Sequence, residues 1–248
     1  MSKSKHNKSL KNSSKQIPAD NSINAVNDID IKIKKLDVKF KTDSQEQLWN
    51  LIDKKEITLI SGPAGTGKSH MCVLKSLELL QKFPDKYKKI IISKPAIESE
   101  EKLGFLPGDV SEKLDPYLYS VKYLFNKILG EQKTNRMIER KNIEIRALAY
   151  FRGINIDDCI FILDEAQNCN KKQIRTILTR IGENCKFLIG GDTTQVDTNI
   201  KIEQTGLYIA MKKLENIPQI GIFKFNDTDI IRNPLISVIL DRLNGEFQ

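Results

Sequence analysis

The chain has 248 residues, 40% hydrophobic and 29% charged, enough apolar material for one well-covered core. No apolar run nears the roughly 20 residues that span a bilayer, and no apolar stretch follows the N-terminal lysines as a secretory signal requires. The net charge of +8 is concentrated: residues 1–19, MSKSKHNKSLKNSSKQIPA, hold five lysines and no acid, which leaves +3 for the rest.

Two readings of that tail stand together. One is a solvated, disordered leader, here taken as residues 1–35; the other is an arm that attracts phosphate without regard to sequence. Next, DIDIKIKKLDVKFKT alternates apolar and polar residues from Ile29 to Phe40, which predicts a short edge strand or hairpin. A helix is expected over 44–54. EITLISG then reads as a first buried strand running into glycines. Met71, Leu74, Leu77 and Leu80 are spaced for one face of the following helix. KKIIISKP is a second strand, and helices are expected over 110–130 and 133–142. CIFILDE is a third strand, KKQIRTILTRIG a helix and KFLIGGD a fourth strand. A helix over 203–215, a fifth strand at QIGIFKF and a closing helix over 233–243 complete the pattern.

Strands made almost wholly of Ile, Leu, Val and Phe, alternating with helices, predict an α/β fold: a mostly parallel sheet with helices on both faces. No internal repeat and no linker divides the chain after residue 35, so residues 36–248 are expected to form one domain. Four cysteines, Cys72, Cys159, Cys169 and Cys185, have no CxxC or metal-ligand spacing with His6 or His70. They read as reduced thiols of a cytoplasmic protein.

The first strand ends in SGPAGTGKSH, where Gly62, Gly67, Lys68 and Ser69 fit G-x-x-x-x-G-K-[ST]. Across Gly62, Pro63, Ala64, Gly65, Thr66 and Gly67 the backbone can curl so that its N–H groups point at phosphate oxygens. The helix beginning near Gly67 presents its positive end to the same anion. Lys68 reaches for the β- and γ-phosphates, Ser69 offers a hydroxyl to Mg²⁺, and His70 follows on the helix surface.

That loop gives a partner to an otherwise costly pair. FILDEAQN carries Asp164 and Glu165 out of an apolar strand, and buried carboxylates need a cation or strong donors. Asp164 stands where a P-loop enzyme keeps the acid that shares Mg²⁺ with the loop hydroxyl. Side chains alternate along a strand, so Glu165 points elsewhere and can act as base toward a water. The fourth strand ends in GGDTTQVD. Gln195 there is either a sensor of the γ-phosphate and attacking water, since an amide both donates and accepts, or part of a polar turn.

Together these stretches resemble the PhoH family of P-loop ATPases, relatives of the superfamily 1 helicases. The matching segments are GPAGTGKSH, GFLPGDVSEKLDPYLYSV (104–121), ALAYFRG (147–153), FILDEAQN, LTRIG (178–182), GDTTQVD (191–197) and TDIIRNPL (228–235). The resemblance implies a RecA-like P-loop core that hydrolyses ATP with Mg²⁺ and acts on RNA or single-stranded DNA. It makes Gln45, in KTDSQEQ, look like the glutamine that helicases set on the adenine edge; otherwise it is a helix-surface amide. Arg232, in IIRNP, resembles the arginine that steadies γ-phosphate charge, with a surface ion pair as the alternative. Arg180 and, more remotely, Arg152 are further arginine candidates. One core is half of what a monomeric helicase uses, so a homo-oligomer is expected, a hexameric ring being one form, with an arginine reaching a neighbour's nucleotide.

Lys94, in SKPAIES, departs from the arginine common in the family, keeping the charge without the bidentate fork. Tyr117, Tyr119 and Tyr123 read either as platforms for bases or as core and interface residues. A small-molecule kinase is the competing function, but DEAQ with GDTTQ suits water as the acceptor better than a second substrate.

Overall fold

The computed structural model describes residues 36–95, 110–192, 201–231 and 242, all within one compact unit of residues 32–248. In chain order the elements are α1 (Asp43–Lys54), β1 (Ile57–Ser61), α2 (Lys68–Lys82), β2 (Lys89–Ser93), α3 (Val110–Leu129) and α4 (Glu131–Glu139). They continue with β3 (Ile143–Ile145), β4 (Cys159–Leu163), α5 (Lys171–Leu178), β5 (Lys186–Gly191), α6 (Gly206–Lys213) and β6 (Ile220–Lys224). The strands form one sheet in the order β3-β2-β4-β5-β1-β6, and every described pairing is parallel.

Burial on both faces explains why the strands are continuous apolar runs: all five residues of β1 and of β4, and all six of β5, are buried. Side chains alternate between two cores. On one face Leu59, Phe161, Leu163, Phe187 and Ile189 meet Ile174 and Ile177 of α5 and Leu207 of α6. Phe161 stacks between Phe151 and Phe187 at centroid distances of 5.2 and 4.9 Å. The opposite face takes α2, with Met71, Val73, Leu74, Leu77 and Leu80 all buried. Each such side chain contributes about 1.5–3 kcal/mol by leaving water.

The structure departs from the expected elements in four places. A sixth strand, β3, lies at the sheet edge with only three residues, too short for an alternation signal. Residues 36–42 form no strand: Phe40 instead packs edge-on against Trp49 of α1 at 5.7 Å, drawing the chain into the helix. The helix expected through 182 ends at Leu178, because Ile181 leaves to bridge Ile156. The expected single apolar face of α2 is a helix buried nearly all round, Lys75 included. Its ammonium lies 2.7 Å from Asp53 and 3.0 Å from Glu78, with the Trp49 ring 4.2 Å away. Residues 1–35, the 104–109 segment, Gln195, Arg232 and the helix expected over 233–243, Arg242 excepted, lie outside the described residues.

No helix among the described residues is long and apolar enough to cross a membrane.

Candidate functional site

β1, β2, β4 and β5 all end at the same edge of the sheet, and in an open parallel sheet that carboxyl edge is where ligands bind. The chain leaves β1 through a loop in which Gly62, Gly65 and Gly67 have φ of 149°, 94° and 86°. Close packing makes Gly62 necessary as well as permissive: a Cβ there would come within 2.5 Å of Phe225 Cβ. Thr66 is buried and donates to Pro63 O at 3.0 Å, which holds the loop closed on itself. Gly67 begins α2 with no side-chain cap, so the first N–H groups of that helix remain directed at the loop's hollow.

Lys68 folds back over this hollow, donating to Gly62 O at 2.6 Å and Pro63 O at 2.8 Å. Burial pushes its pKa below the ordinary lysine value, opposed by the nearby charges of Asp192, Glu165 and Asp164. His70, half-buried on the first turn of α2, is likewise held below its ordinary pKa by burial and by Lys127 and Lys41.

Asp164 leaves β4 directly opposite. Its backbone N–H donates to Ser93 O at 3.0 Å, continuing the ladder with β2 by one residue. Its side chain turns under the loop: Oδ1 accepts from Ser69 Oγ at 2.6 Å, and Oδ2 lies 3.3 Å from Lys94 Nζ. A hydroxyl and a carboxylate brought together on oxygen atoms are the donor set of a hard divalent cation, so Ser69 and Asp164 fit Mg²⁺. Behind them Cys72 is fully buried, and burial raises its thiol pKa well above the ordinary value.

Glu165 turns away from Asp164, not by the expected strand alternation but because β4 has ended at Leu163 and its own backbone is left-handed, φ 55° and ψ 36°. Gln167 holds it there, donating from Nε2 to Glu165 Oε2 at 2.8 Å while its Oε1 accepts from Asp192 N at 2.9 Å. One buried amide thus joins the acid after β4 to the end of β5. Sequence reasoning missed Gln167; the signal was its position two residues past Glu165.

Gln45 is not the surface amide of the alternative reading. Thr42 caps α1 by accepting from Gln45 N, and the Gln45 side chain, 4% exposed, donates to Thr66 O at 3.0 Å and accepts from Lys41 N at 2.9 Å. From the other flank, Ile231 N donates to Gly65 O at 3.0 Å. Arg180 stands at the opposite, amino edge of the sheet, where its carbonyl accepts from Ile156 N at 2.8 Å ahead of β4. Arg152 is exposed and lines a separate cavity of about 170 Å³ with Leu148, Asn170 and Lys172. Tyr119 and Tyr123 are 73% and 56% exposed on α3, so neither is a core residue; the Tyr117 side chain lies outside the described residues.

The family model for PhoH-like proteins matches residues 37–244. A PhoH-like protein of Bacillus subtilis (strain 168) is 40% identical over 204 residues, 82% of this chain and 63% of its own length. Protein PhoH of Escherichia coli (strain K12) is 34% identical over 198 residues, 79% of this chain and 55% of its own. The chain therefore spans less than two thirds of the length of these curated relatives. The crystal structure of Pif1 helicase from Candida albicans overlaps 84% of this chain and 44% of that one at 15% identity and a TM-score of 0.40, too loosely to speak to activity.

Proposed function

The chain belongs to the PhoH-like protein family, and from that premise we propose that it is a magnesium-dependent ATPase whose turnover is coupled to binding and remodelling RNA or single-stranded DNA. The observation that carries the reading is the 2.6 Å bond between Ser69 and Asp164 beneath a loop whose lysine folds back onto the loop's own carbonyls. Ser69 and Asp164 would hold the ion, and magnesium when bound supplies charge neutralisation at the β- and γ-phosphates. The backbone of residues 62–69 cradles the phosphates, and Lys68 exchanges its two carbonyls for phosphate oxygens. Glu165, oriented by Gln167, takes the proton of the attacking water. Gln45 keeps a second amide hydrogen beyond its bond to Thr66, which suits the adenine edge.

Gln195 and Arg232 complete this reading as γ-phosphate sensor and transition-state cation. Arg180, at the far edge of its own sheet, suits a neighbour's nucleotide, which favours a homo-oligomer over a lone subunit. Residues 36–248 serve as one RecA-like ATPase domain, and the basic stretch before them adds phosphate attraction. The exposed Tyr119 and Tyr123, one helical turn apart, offer faces on which bases stack. Four buried thiols, none in a disulfide, suit a reducing cytoplasm.

The test is phosphate release from ATP with no acceptor present, alone and with RNA, single-stranded DNA and duplex, repeated for Glu165→Gln. Stimulation by one single-stranded polymer, abolished by Glu165→Gln, is expected. Turnover only with a small-molecule acceptor would instead make it a kinase.

A further inference from the structure

Lys94 turns toward Asp164 at the carboxyl edge of the sheet. It is the residue after β2, and Asp164 is the residue after β4. These strands pair in register through Ser93 and Leu163, with Asp164 N bonded to Ser93 O at 3.0 Å. Lys94 and Asp164 therefore leave neighbouring strands at the same height. The lysine side chain is 16% exposed and its ammonium lies 3.3 Å from Asp164 Oδ2, while Oδ1 is taken by Ser69. Both oxygens of the carboxylate are thus occupied, one by the hydroxyl that would share a metal and one by the lysine ammonium.

A divalent ion held by Ser69 and Asp164 would stand within a few ångströms of that ammonium. Two cations drawn to the same carboxylate repel each other at such a separation, so they compete for it. Resting on the proposed magnesium–nucleotide site, we propose that Lys94 is the built-in counter-ion of Asp164 and the competitor that magnesium must displace, so that it sets the magnesium concentration at which nucleotide is held. Lysine suits this: a point charge on a flexible stem can leave without breaking a two-pronged contact.

The experiment titrates magnesium into full-length protein with a fluorescent ADP analogue and reads bound nucleotide by anisotropy, with no turnover. Lys94→Gln, which keeps a polar side chain and removes the charge, should lower the half-saturating magnesium about tenfold. Lys94→Arg, which keeps the competing charge and adds a two-pronged contact that must break, should leave the half-saturating magnesium equal to the parent's or raise it, and a fall like that of Lys94→Gln would overturn the proposal. A melting scan of each nucleotide-free protein verifies folding. In that scan Lys94→Gln should lose stability without magnesium and recover it with magnesium, as a carboxylate left without its counter-ion requires. An unchanged or raised midpoint in a folded Lys94→Gln protein would overturn the role of Lys94 alone. Nucleotide binding by the parent that ignores magnesium would overturn the metal site with it.

Discussion

Ser69 and Asp164, 95 residues apart in the chain, meet at 2.6 Å across a strand that belongs to neither of them. β1 and β4 are each paired with β5 and not with one another, so the contact depends on the sheet as a whole. Removing either oxygen should raise the magnesium needed for nucleotide binding and cut hydrolysis about a hundredfold, the scale of several kcal/mol that a positioned metal supplies. Ser69→Ala and Asp164→Asn, compared by magnesium titration and phosphate release, check this. An unaltered magnesium requirement in both would remove the metal from this location.

Gln167→Ala separates positioning from binding. The amide touches Glu165 and the start of the segment after β5, at 2.8 and 2.9 Å, rather than the phosphate loop. The turnover number should fall about ten- to hundredfold, part of the range that acid–base groups contribute. Nucleotide affinity should stay within about twofold, since an uncharged amide away from the phosphates adds little to it. Single-turnover kinetics beside equilibrium binding reads both quantities. Equal losses in the two would make Gln167 a structural residue.

Much of this architecture was readable beforehand. Five apolar strands, the phosphate loop and the two acids stand out because apolar runs and glycine spacing are local signals. Gln167 escaped because its partners, Glu165 and Asp192, lie on two different strand ends. The contact of Lys94 with Asp164 is not legible in SKPAIES, because nothing in that segment indicates that β2 lies against β4. Lys75 hid inside an amphipathic pattern, because its counter-ion Asp53 and the ring of Trp49 come from another helix. The three-residue β3 carries too few residues to show a period.

Gly191 has a packing role that its neighbour Gly190 lacks. A Cβ at 191 would meet Gln167 Oε1 at 2.6 Å and Leu207 Cδ2 at 2.8 Å, whereas one at 190 meets nothing within 4 Å. Gly191→Ala should therefore destabilise the fold by about 2 kcal/mol, the usual cost of overpacking, and lower the melting temperature by about 6 °C. Gly190→Ala should change it by less than about 2 °C. Calorimetry of both variants checks the contrast.

Lys186 gives the stability a dependence on alkaline pH. Its ammonium caps the end of α1, donating to the carbonyls of Ile52, Asp53 and Lys55, and burial lowers its pKa to about 8. The unfolded chain keeps an ordinary lysine near 10.4, so between about pH 8 and 10 the unfolded state binds more protons and stability rises with pH. Below pH 8 both states are charged and the burial penalty is fully present. Urea unfolding of the parent against Lys186→Met should show the parent gaining relative stability from pH 8 to 10. A flat difference would mean that the ammonium is better solvated than its burial implies.

The phosphate loop is gripped from both flanks of the polypeptide, by Gln45 on the amino side and by Phe225 and Ile231 on the carboxyl side. Its curvature is therefore no portable cassette. A chain cut back to residue 224 would retain every atom of the loop yet lose the wall that gives Gly62 its reason to be glycine.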